Sequence, residues 1–340
     1  MNQRWYRVFS RPLSVKDRGL FFILKGGDPV IDKPMDVLHA FPVRKTKKQK
    51  QAFRDSVQSY LKLIGYESTI EQKGKNIHNI VIGNPETAKY LITAHYDTPA
   101  VLPFPNLITP CNFMPFLGYQ VLITVLILAA ALIPDILLTL AGVSAEITSR
   151  TWGIRLYAIL LLMLIGPANK HNANDNTSGV VTVLEIAKSM PETCRDQVCF
   201  ILFDLEEAGL LGSSAYRKAH KKQTDNQIIL NLDCVGDGDE IVMFPTKNLK
   251  TDAEKLEPLR KICGTWGKKS IAIREKGFAY YPSDQKNFPY GIGIAALRRS
   301  SWAGLYCSRI HTKNDTILEE TNVNILRAAI VSLVTCGAVN

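Results

Sequence analysis

Short apolar runs alternate with segments of helical spacing along most of this sequence. Residues 90–94, 198–203 and 228–232 are largely apolar runs of the length that is typical of buried strands. Apolar residues also recur at helical spacing, as in 177–189 and 322–336. This alternation predicts an α/β fold in which a mostly parallel mixed sheet is covered by helices on both faces.

The first 43 residues depart from this pattern. They contain several prolines and one short apolar run at 20–24, so we predict an irregular N-terminal extension over residues 1–43. The basic run 44–50 then leads into helical spacing, which is expected to stop at Gly65.

A long uncharged segment interrupts the α/β pattern. No charged residue occurs between positions 98 and 134, and within this segment residues 116–133 are rich in Leu, Ile, Val and Ala. A second apolar stretch, 152–168, contains Arg155 as its one charged residue. The lengths of the two stretches are at the lower end of the range for helices that span a membrane, about 17–25 residues.

We therefore predict that residues 114–167 form an inserted apolar hairpin of two helices. Residues 1–113 and 168–340 then form a single α/β domain. Because that sheet needs strands from both sides of the insertion, the number of full membrane crossings must be even. This favours a spanning or re-entrant hairpin with its polar turn near 144–150, and it requires Arg155 to reach the membrane interface. A soluble apolar lid or a dimerisation arm is the alternative interpretation.

Charge and cysteine content bear on the partners and the cellular location expected for the protein. The net charge is +10, and the first 60 residues carry 13 Lys and Arg against 5 Asp and Glu. Without a nucleic-acid motif, this basic start predicts a solvated face or contact with anionic lipid, and no nucleic-acid partner. The seven cysteines form no CxxC pair, and the N-terminus lacks the pattern of a signal peptide. We expect reduced thiols, and a membrane-associated protein whose main domain faces the cytoplasm.

Polar residues follow three of the predicted strands, at the point where each strand ends. His95 follows the first run, Glu206 and Glu207 follow the second, and Asp233 follows the third. Ligands of open α/β sheets gather at the carboxyl ends of the strands, so we expect these side chains to converge.

Two further residues can join this group from loops. Asp175 lies at the start of a predicted apolar helix, where an acidic side chain cannot contribute to a hydrophobic core. His311 lies in a loop late in the chain. Three carboxylates and two imidazoles suit zinc, but five ligands are too many for one catalytic ion. They suit two ions about 3.5–4 Å apart that share one carboxylate. Glu206, beside Glu207, is then the spare carboxylate that can take a proton from water.

Five short motifs occur in a fixed order in this chain. They are His95-Tyr96-Asp97, Asn174-Asp175-Asn176-Thr177-Ser178-Gly179, Glu206-Glu207 followed by Gly209-Leu210-Leu211-Gly212-Ser213, Asp233 and His311. Together they resemble the co-catalytic zinc aminopeptidase family. The resemblance covers about residues 50–113 and 168–340, and each motif alone is far less specific than the ordered set.

The resemblance implies a role for each metal ligand. Asp175 would bridge two Zn²⁺ ions. Glu207 and His311 would complete one zinc site, and His95 and Asp233 would complete the other.

The resemblance also implies residues that act beside the ions. Glu206 would be the general base, and Asp97 would hold the ring of His95 through its second nitrogen. Ser283-Asp284 resembles the substrate-site loop of the family. Tyr280-Tyr281 fits either a pocket for the first substrate side chain or ordinary packing, and Cys234 is expected to be an apolar filler.

The implied activity is hydrolysis of N-terminal residues from peptides that have a free N-terminus. Residues 1–113 and 168–340 would then be the catalytic zinc peptidase domain. Two alternatives share this fold. A glutaminyl cyclase uses a single zinc, and the full set of five ligands argues against it. A non-enzymatic membrane scaffold would have lost ligands, and none is missing here.

If the insertion enters a bilayer, the full-length protein stays in the membrane pellet after alkaline carbonate extraction. Apolar helices, and not ionic contacts, would hold it there. Immunoblotting of pellet and supernatant measures the distribution, with a peripheral membrane protein as the control that is released. Recovery of the full-length protein in the supernatant contradicts the membrane interpretation.

Overall fold

The structure is a computed structural model that describes residues 29–336 of the chain. The predicted apolar run at 20–24 and most of the basic N-terminal extension lie outside the described residues. Within them, the protein has a mixed α/β fold with one ten-stranded sheet, helices on both faces and two apolar helices inserted in the chain. The predicted fold class is confirmed.

The three apolar runs at 90–94, 198–203 and 228–232 form strands β3, β4 and β5, within one residue of the predicted bounds. The ten strands are β1 (Ser68–Lys73), β2 (Ile77–Ile82), β3 (Tyr90–His95), β4 (Val198–Phe203), β5 (Ile228–Leu232), β6 (Glu240–Pro245), β7 (Gly264–Trp266), β8 (Lys269–Ile273), β9 (Gly291–Ser300) and β10 (Gly304–Tyr306).

The sheet is parallel at its centre and mostly antiparallel towards its edges. Its order is β1-β2-β4-β3-β5-β9-β6-β8-β7, with β10 paired to β9. The central pairs β4–β3, β3–β5 and β5–β9 are parallel, and so is β6–β8, whereas β1–β2, β2–β4, β6–β9, β7–β8 and β9–β10 are antiparallel. Parallel pairing is thus more restricted than the sequence pattern suggested, but it includes the three strands that end in candidate ligands.

Ten α-helices precede, connect or follow these strands in the described part of the chain. They are α1 (Val37–Ala40), α2 (Lys47–Leu63), α3 (Phe113–Leu140), α4 (Ala145–Ile165), α5 (Gly179–Ser189), α6 (Leu211–Ala219), α7 (Lys221–Thr224), α8 (Lys247–Thr251), α9 (Ala253–Lys261) and α10 (Glu320–Cys336).

The core lies on both faces of the sheet. Buried residues of α2, α5, α9 and α10 cover one face, where they meet strand residues such as Ile92 and Phe200. Tyr216 of α6 and Phe288 cover the other face, where they meet Leu91 and Cys199. Successive strand residues therefore belong to opposite faces, as the two-residue repeat of a strand requires.

The end of the N-terminal extension is more regular than predicted. A 3₁₀ turn at Pro34–Asp36 leads directly into α1. Ile31, Val37 and Phe41 are buried in the main core. The expectation of irregular structure is wrong for residues 34–40, because these scattered apolar residues pack against the domain although they form no long periodic run.

The insertion forms two antiparallel helices, α3 and α4. Both contain a segment long and apolar enough to cross a membrane, Phe113–Leu140 and Thr148–Ile165. The connection between the helices covers residues 141–144, so the turn predicted near 144–150 is placed too late in the chain, because residues 145–150 already belong to α4. Glu146 and Arg150 lie in the first turns of α4 and pair with each other.

The two charged side chains in the apolar part of the insertion, Asp135 and Arg155, pair with each other. Helix α3 continues through Pro134 and Asp135 to Leu140, beyond the end of the predicted apolar run at 133. The Arg155 guanidinium contacts the Asp135 carboxylate across the hairpin and donates to the Ala131 carbonyl oxygen. Arg155 therefore satisfies its charge inside the hairpin, because Asp135 lies opposite it.

A buried ion pair connects α2 to the end of β4. Lys50 Nζ lies 2.7 Å from Oδ1 of Asp204, whose side chain is fully buried. The backbone N–H of His78 donates to the other oxygen of Asp204 at 3.1 Å. Burial raises the pKa of the Asp204 carboxyl, and Lys50 opposes this rise.

Replacing Lys50 with Met should lower the free energy of unfolding by about 3–5 kcal/mol near pH 7, since it leaves a buried carboxylate without its partner. Loss of Lys50 also raises the folded-state pKa of Asp204 further. A carboxyl with a higher pKa in the folded than in the unfolded state binds more protons when folded. The variant should therefore recover stability as the pH falls through the folded pKa towards about 4, the unfolded value.

Denaturant unfolding of the full chain at pH 7 and pH 5, followed by circular dichroism, measures this difference. Lys62→Met is the matched control, because Lys62 is an exposed residue of the same helix. Its effect should stay within about 0.5 kcal/mol. Equal stability losses of Lys50→Met at both pH values would contradict the assigned role of Asp204.

Candidate metal centre

Three neighbouring strands deliver candidate ligands to one edge of the sheet. His95 is the last residue of β3, Asp233 follows the last residue of β5, and Glu206 and Glu207 follow β4 after a two-residue gap. Because β4, β3 and β5 are adjacent and parallel, their carboxyl ends lie side by side. The structure thus brings together the residues that the sequence predicted to converge.

Asp175 reaches the same edge from the loop that precedes α5. The side-chain oxygen of Asn174 accepts the backbone N–H groups of Gly236 and Asp237 at 2.7 and 3.1 Å. Asn176 donates to the carbonyl oxygen of Leu232 at 2.9 Å. The two asparagines of the motif therefore fasten the Asp175 loop to the segment that follows β5.

The two oxygens of Asp175 face two different histidines. His95 Nε2 lies 3.2 Å from Oδ1 of Asp175 and 3.7 Å from Oδ1 of Asp233. His311 Nε2 lies 2.9 Å from Oδ2 of Asp175 and 3.5 Å from Oε2 of Glu207. Asp175 consequently belongs to two separate groups of donor atoms.

These donors meet the requirements of a metal centre. Ligand atoms of His95, Asp175 and Asp233 lie within 4.8 Å of one another, and so do those of Asp175, Glu207 and His311. A third such group joins His95 with Glu206 and Glu207. Oε1 of Glu207 is buried without a hydrogen-bond partner among the described residues. Imidazole nitrogens and carboxylate oxygens at these spacings fit zinc.

Asp97 holds two parts of the centre at once. Its Oδ1 lies 3.4 Å from Nδ1 of His95, on the side of the ring away from Asp175. The same carboxylate accepts the backbone N–H groups of Glu206 at 3.0 Å and Glu207 at 3.2 Å. Asp97 therefore orients both the histidine ring and the start of the loop that carries the two glutamates.

Burial and neighbouring side chains shift the pKa values of Asp175 and Glu206 in opposite directions. Burial opposes ionisation of Asp175, but hydrogen bonds from His311 and His95 outweigh it and hold the pKa of this carboxyl well below its usual range. Burial, together with the charges of Glu207 and other nearby acids, raises the pKa of Glu206 well above its usual range, although His95 opposes the rise. A carboxyl with a raised pKa is suited to accepting a proton.

Asp315 is a member of the centre that sequence reasoning missed. It is 1% exposed, and its two oxygens accept the backbone N–H groups of Asn174 at 2.7 Å and Asp175 at 3.0 Å. Asp315 thereby fixes the backbone at the residue shared by both donor groups. Its position four residues after His311 is the one signal in the sequence that could have drawn attention to it.

Arg44 is a second missed residue, because a basic run normally predicts a solvated surface. It is fully buried and donates to the carbonyl oxygens of Tyr96 and Phe41 and to the hydroxyl of Thr177. Burial lowers the pKa of its guanidinium to about 10, while Asp97 and Asp175 oppose the change. Arg44 thus supplies a buried positive charge beside the acidic cluster.

The backbone is strained next to the candidate ligands. Leu205, Cys234 and His311 have φ values of 56°, 57° and 60°, a region that residues other than glycine rarely occupy. Leu205 precedes Glu206, Cys234 follows Asp233, and His311 is itself a candidate ligand. Such strain concentrates at functional sites, where the surrounding structure holds it.

The predicted substrate loop lies beside Asp233. The Tyr281 hydroxyl donates to the Asp233 carbonyl oxygen at 3.0 Å, and the Tyr281 ring is buried against Phe244. Tyr281 is therefore a packing residue, whereas Tyr280 is 42% exposed. Asp284 is fully buried and accepts a hydrogen bond from Ser213; burial raises its pKa to about 7.

The first helix of the insertion packs on this loop. The rings of Phe113 and Phe116 lie 5.3 and 5.8 Å from the ring of Phe278, and Phe116 lies 5.5 Å from Tyr280. The segment that leads into the insertion also contacts the centre, because the Leu102 N–H donates to the His311 carbonyl oxygen at 2.7 Å.

Comparison with known proteins gives a family match and a short sequence match. The profile of peptidase family M28 matches residues 161–334, which is half of the chain. Aminopeptidase YwaD of Bacillus subtilis (strain 168) is 42% identical over 67 residues. That alignment covers 19% of this chain and only 15% of the relative.

Two solved structures share the fold. The LapA aminopeptidase of Legionella pneumophila matches 89% of this chain and 70% of its own, with a TM-score of 0.55 at 14% identity. The glutaminyl cyclase of Fimbriiglobus ruber matches 89% of this chain and 94% of its own, with a TM-score of 0.51 at 13% identity. At these identities the similarity concerns the fold alone.

Asp315→Asn should lower zinc affinity about 10–100-fold, the effect usually seen when a group that orients a metal ligand is changed. The new amide would direct N–H atoms at a backbone N–H and disturb the position of Asp175. Competition with a chromogenic chelator measures the affinity. Asp239→Asn is the control, since the Asp239 side chain is 79% exposed. Unchanged affinity in Asp315→Asn would contradict the positioning role.

Proposed function

The chain belongs to peptidase family M28, and on this premise we propose that it is a two-zinc aminopeptidase that removes N-terminal residues from peptides. The observation that carries the proposal is the arrangement around Asp175. One of its oxygens lies in a donor group with His95 and Asp233, and the other lies in a donor group with Glu207 and His311. A shared carboxylate of this kind gives each of two ions three protein ligands.

Zinc, when bound, supplies positive charge that lowers the pKa of water and polarises a substrate carbonyl. The chain's own residues fix where that charge lies. Asp175, Asp233 and His95 would hold one ion, and Asp175, Glu207 and His311 would hold the other. Asp97 keeps the His95 ring oriented, and Asp315 keeps Asp175 in place.

Glu206 is the proposed general base. It is half-buried, it belongs to a donor group with His95, and its backbone is fixed by Asp97. A carboxylate oxygen of Glu206 takes a proton from the attacking water, and the same oxygen returns the proton to the leaving amine. Burial, together with the nearby acids, raises the pKa of Glu206, and a raised pKa favours this first transfer.

The substrate side chain is proposed to lie against the exposed ring of Tyr280 and its neighbour Phe278. Tyr281, which follows Tyr280 in the chain, donates to the Asp233 carbonyl oxygen, and Phe113 and Phe116 of the insertion pack against Phe278 and Tyr280. An aromatic wall of this kind favours peptides with an apolar first residue. The free amine of the peptide would be directed towards the acidic cluster.

We propose that the insertion holds this domain at a membrane. Helix α3 has 28 residues and is therefore about 42 Å long, which exceeds the thickness of a bilayer core, about 30 Å. Most of its Leu, Ile and Val side chains are exposed. Both helices return to the same sheet, so the catalytic domain would lie on one side, which we assign to the cytoplasm. The active centre would then open close to the membrane surface.

The glutaminyl cyclase alternative keeps support from the fold similarity alone. A single-zinc cyclase has no use for a second complete donor group, and here both groups are complete. Formation of pyroglutamate from a peptide with an N-terminal Gln, together with one tightly held zinc per chain, would favour the cyclase over the aminopeptidase.

Glu206→Gln should lower kcat for aminoacyl anilides by about 10²–10⁴-fold, since the amide cannot accept the proton. Zinc content should stay at the wild-type value, because Glu206 is assigned to proton transfer and not to metal binding. Activity and metal content are measured on the same purified full-length sample. Anilides with a blocked amine serve as substrates that neither form should cleave.

Glu254→Gln is the matched control, because Glu254 is an exposed residue of α9. Its kcat should equal that of the wild type. Turnover by Glu206→Gln at the wild-type rate, or rapid cleavage of blocked anilides by the wild type, would contradict the proposed mechanism.

A further inference from the structure

A basic pocket lies beside the first half of α2, outside the metal centre. It has a volume of about 360 Å³, which falls within the usual range of ligand pockets, roughly 300–1,000 Å³. Two of its lining residues, Gln51 and Asn76, are uncharged, and among the described residues no carboxylate lines it. The remaining lining residues are Lys47, Lys48, Lys50, Arg54, Lys75 and His78.

Most of this positive charge has no acidic partner within the pocket. Lys50 is neutralised by the buried Asp204 behind it. Lys47, Lys48 and Lys75 are exposed. Together with Arg54 they leave four formal positive charges around one cavity.

Arg54 is a buried cation that lines the pocket. The residue is 4% exposed, so its guanidinium is held in place. Its Nη1 donates to the Tyr96 hydroxyl at 2.9 Å, and its Nη2 donates to Gln51 at 2.6 Å. Its Nε is buried and has no hydrogen-bond partner among the described residues. Arg54 has no acidic partner among these contacts, so its positive charge favours an anion in the pocket.

The pocket and the metal centre lie at the same edge of the sheet. Because β2 is antiparallel to β4, His78 near the start of β2 lies beside Asp204 at the carboxyl end of β4. Helix α2 also begins at this edge, since Arg44 just before it is bonded to Thr98 just after β3. The apolar insertion leaves from the same edge, where Ala100 pairs with Ala168.

We propose that this pocket binds a phosphate group. A preordered guanidinium with three flexible lysines around it matches the charge and the several acceptor oxygens of phosphate. Two sources share this chemistry, the headgroup of an anionic phospholipid and free phosphate. The lipid source rests on the proposed insertion of α3 and α4 into a membrane, which would bring this edge to the headgroups. Free phosphate requires no membrane.

Two calorimetric titrations of the full chain in neutral detergent separate these sources. The first uses inorganic phosphate. The second uses dihexanoyl phosphatidylglycerol, with dihexanoyl phosphatidylcholine as the zwitterionic reference. Tighter binding of the phosphatidylglycerol than of inorganic phosphate identifies the headgroup as the source. Binding of inorganic phosphate with no preference for the anionic lipid identifies free phosphate.

The triple variant Lys47→Gln, Lys48→Gln, Lys75→Gln tests the pocket itself. It should weaken binding of whichever probe binds by at least about tenfold, because each lysine beside an anion adds attraction. The three side chains are exposed, so the fold should be retained. The control triple variant is Lys247→Gln, Lys261→Gln, Lys268→Gln. It removes the same charge from exposed lysines next to β6 and β7, on the side of the sheet away from β1 and β2. It should bind as the wild type does.

Three results overturn the proposal: no binding of either probe, unchanged affinity in the pocket variant, or equal weakening in the control variant. Hydrolysis of aminoacyl anilides is measured on the same samples and should be the same in both triple variants and the wild type. Absence of hydrolysis in all samples would count against the aminopeptidase and leave phosphate binding to be judged from the titrations.

Discussion

Mutual repulsion among carboxyl groups at one edge of the sheet is the constraint on which the rest of this structure depends. Seven of them lie there, and buried acids of like charge cannot all ionise without compensation. His95, His311 and the buried Arg44 supply part of it, and two donor groups that share Asp175 offer places for further positive charge. The seven are Asp97, Asp175, Glu206, Glu207, Asp233, Asp284 and Asp315.

The part of this site that could be predicted from the sequence is the part that strand geometry determines. Strands β3, β4 and β5 are apolar runs with an abrupt polar end, and in a parallel sheet those ends must meet. His95, Glu207 and Asp233 therefore stood out without any structure. The location of the insertion could also be predicted from the sequence, because an uncharged segment of that length rarely occurs outside a membrane helix or a deeply buried helix.

What the sequence could not show depends on contacts between distant residues. Asp315 is an ordinary acid in a polar loop until its oxygens are seen on the backbone of Asn174 and Asp175. Arg44 belongs to a run that predicts a solvated face, yet its guanidinium is buried and bonded to the carbonyl oxygen of Tyr96. Asp135 lies within α3, where its carboxylate contacts the Arg155 guanidinium across the hairpin. In each case the charge of the residue did not reveal its surroundings, because its partner lies 20 or more residues away along the chain.

The aromatic contacts at the base of the insertion bear on where the two apolar helices could be cut out of the chain without disturbing the α/β domain. Excising the whole of residues 114–167 would remove the Phe116 ring from both Phe278 and Tyr280 and leave Phe278 with the ring of Phe113 alone. The excision point therefore belongs at least one helical turn beyond Phe116, with a short linker back to the strand-like segment at Ala168. The first turn of α3 therefore belongs structurally to the α/β domain, although in sequence it is the start of the apolar insertion.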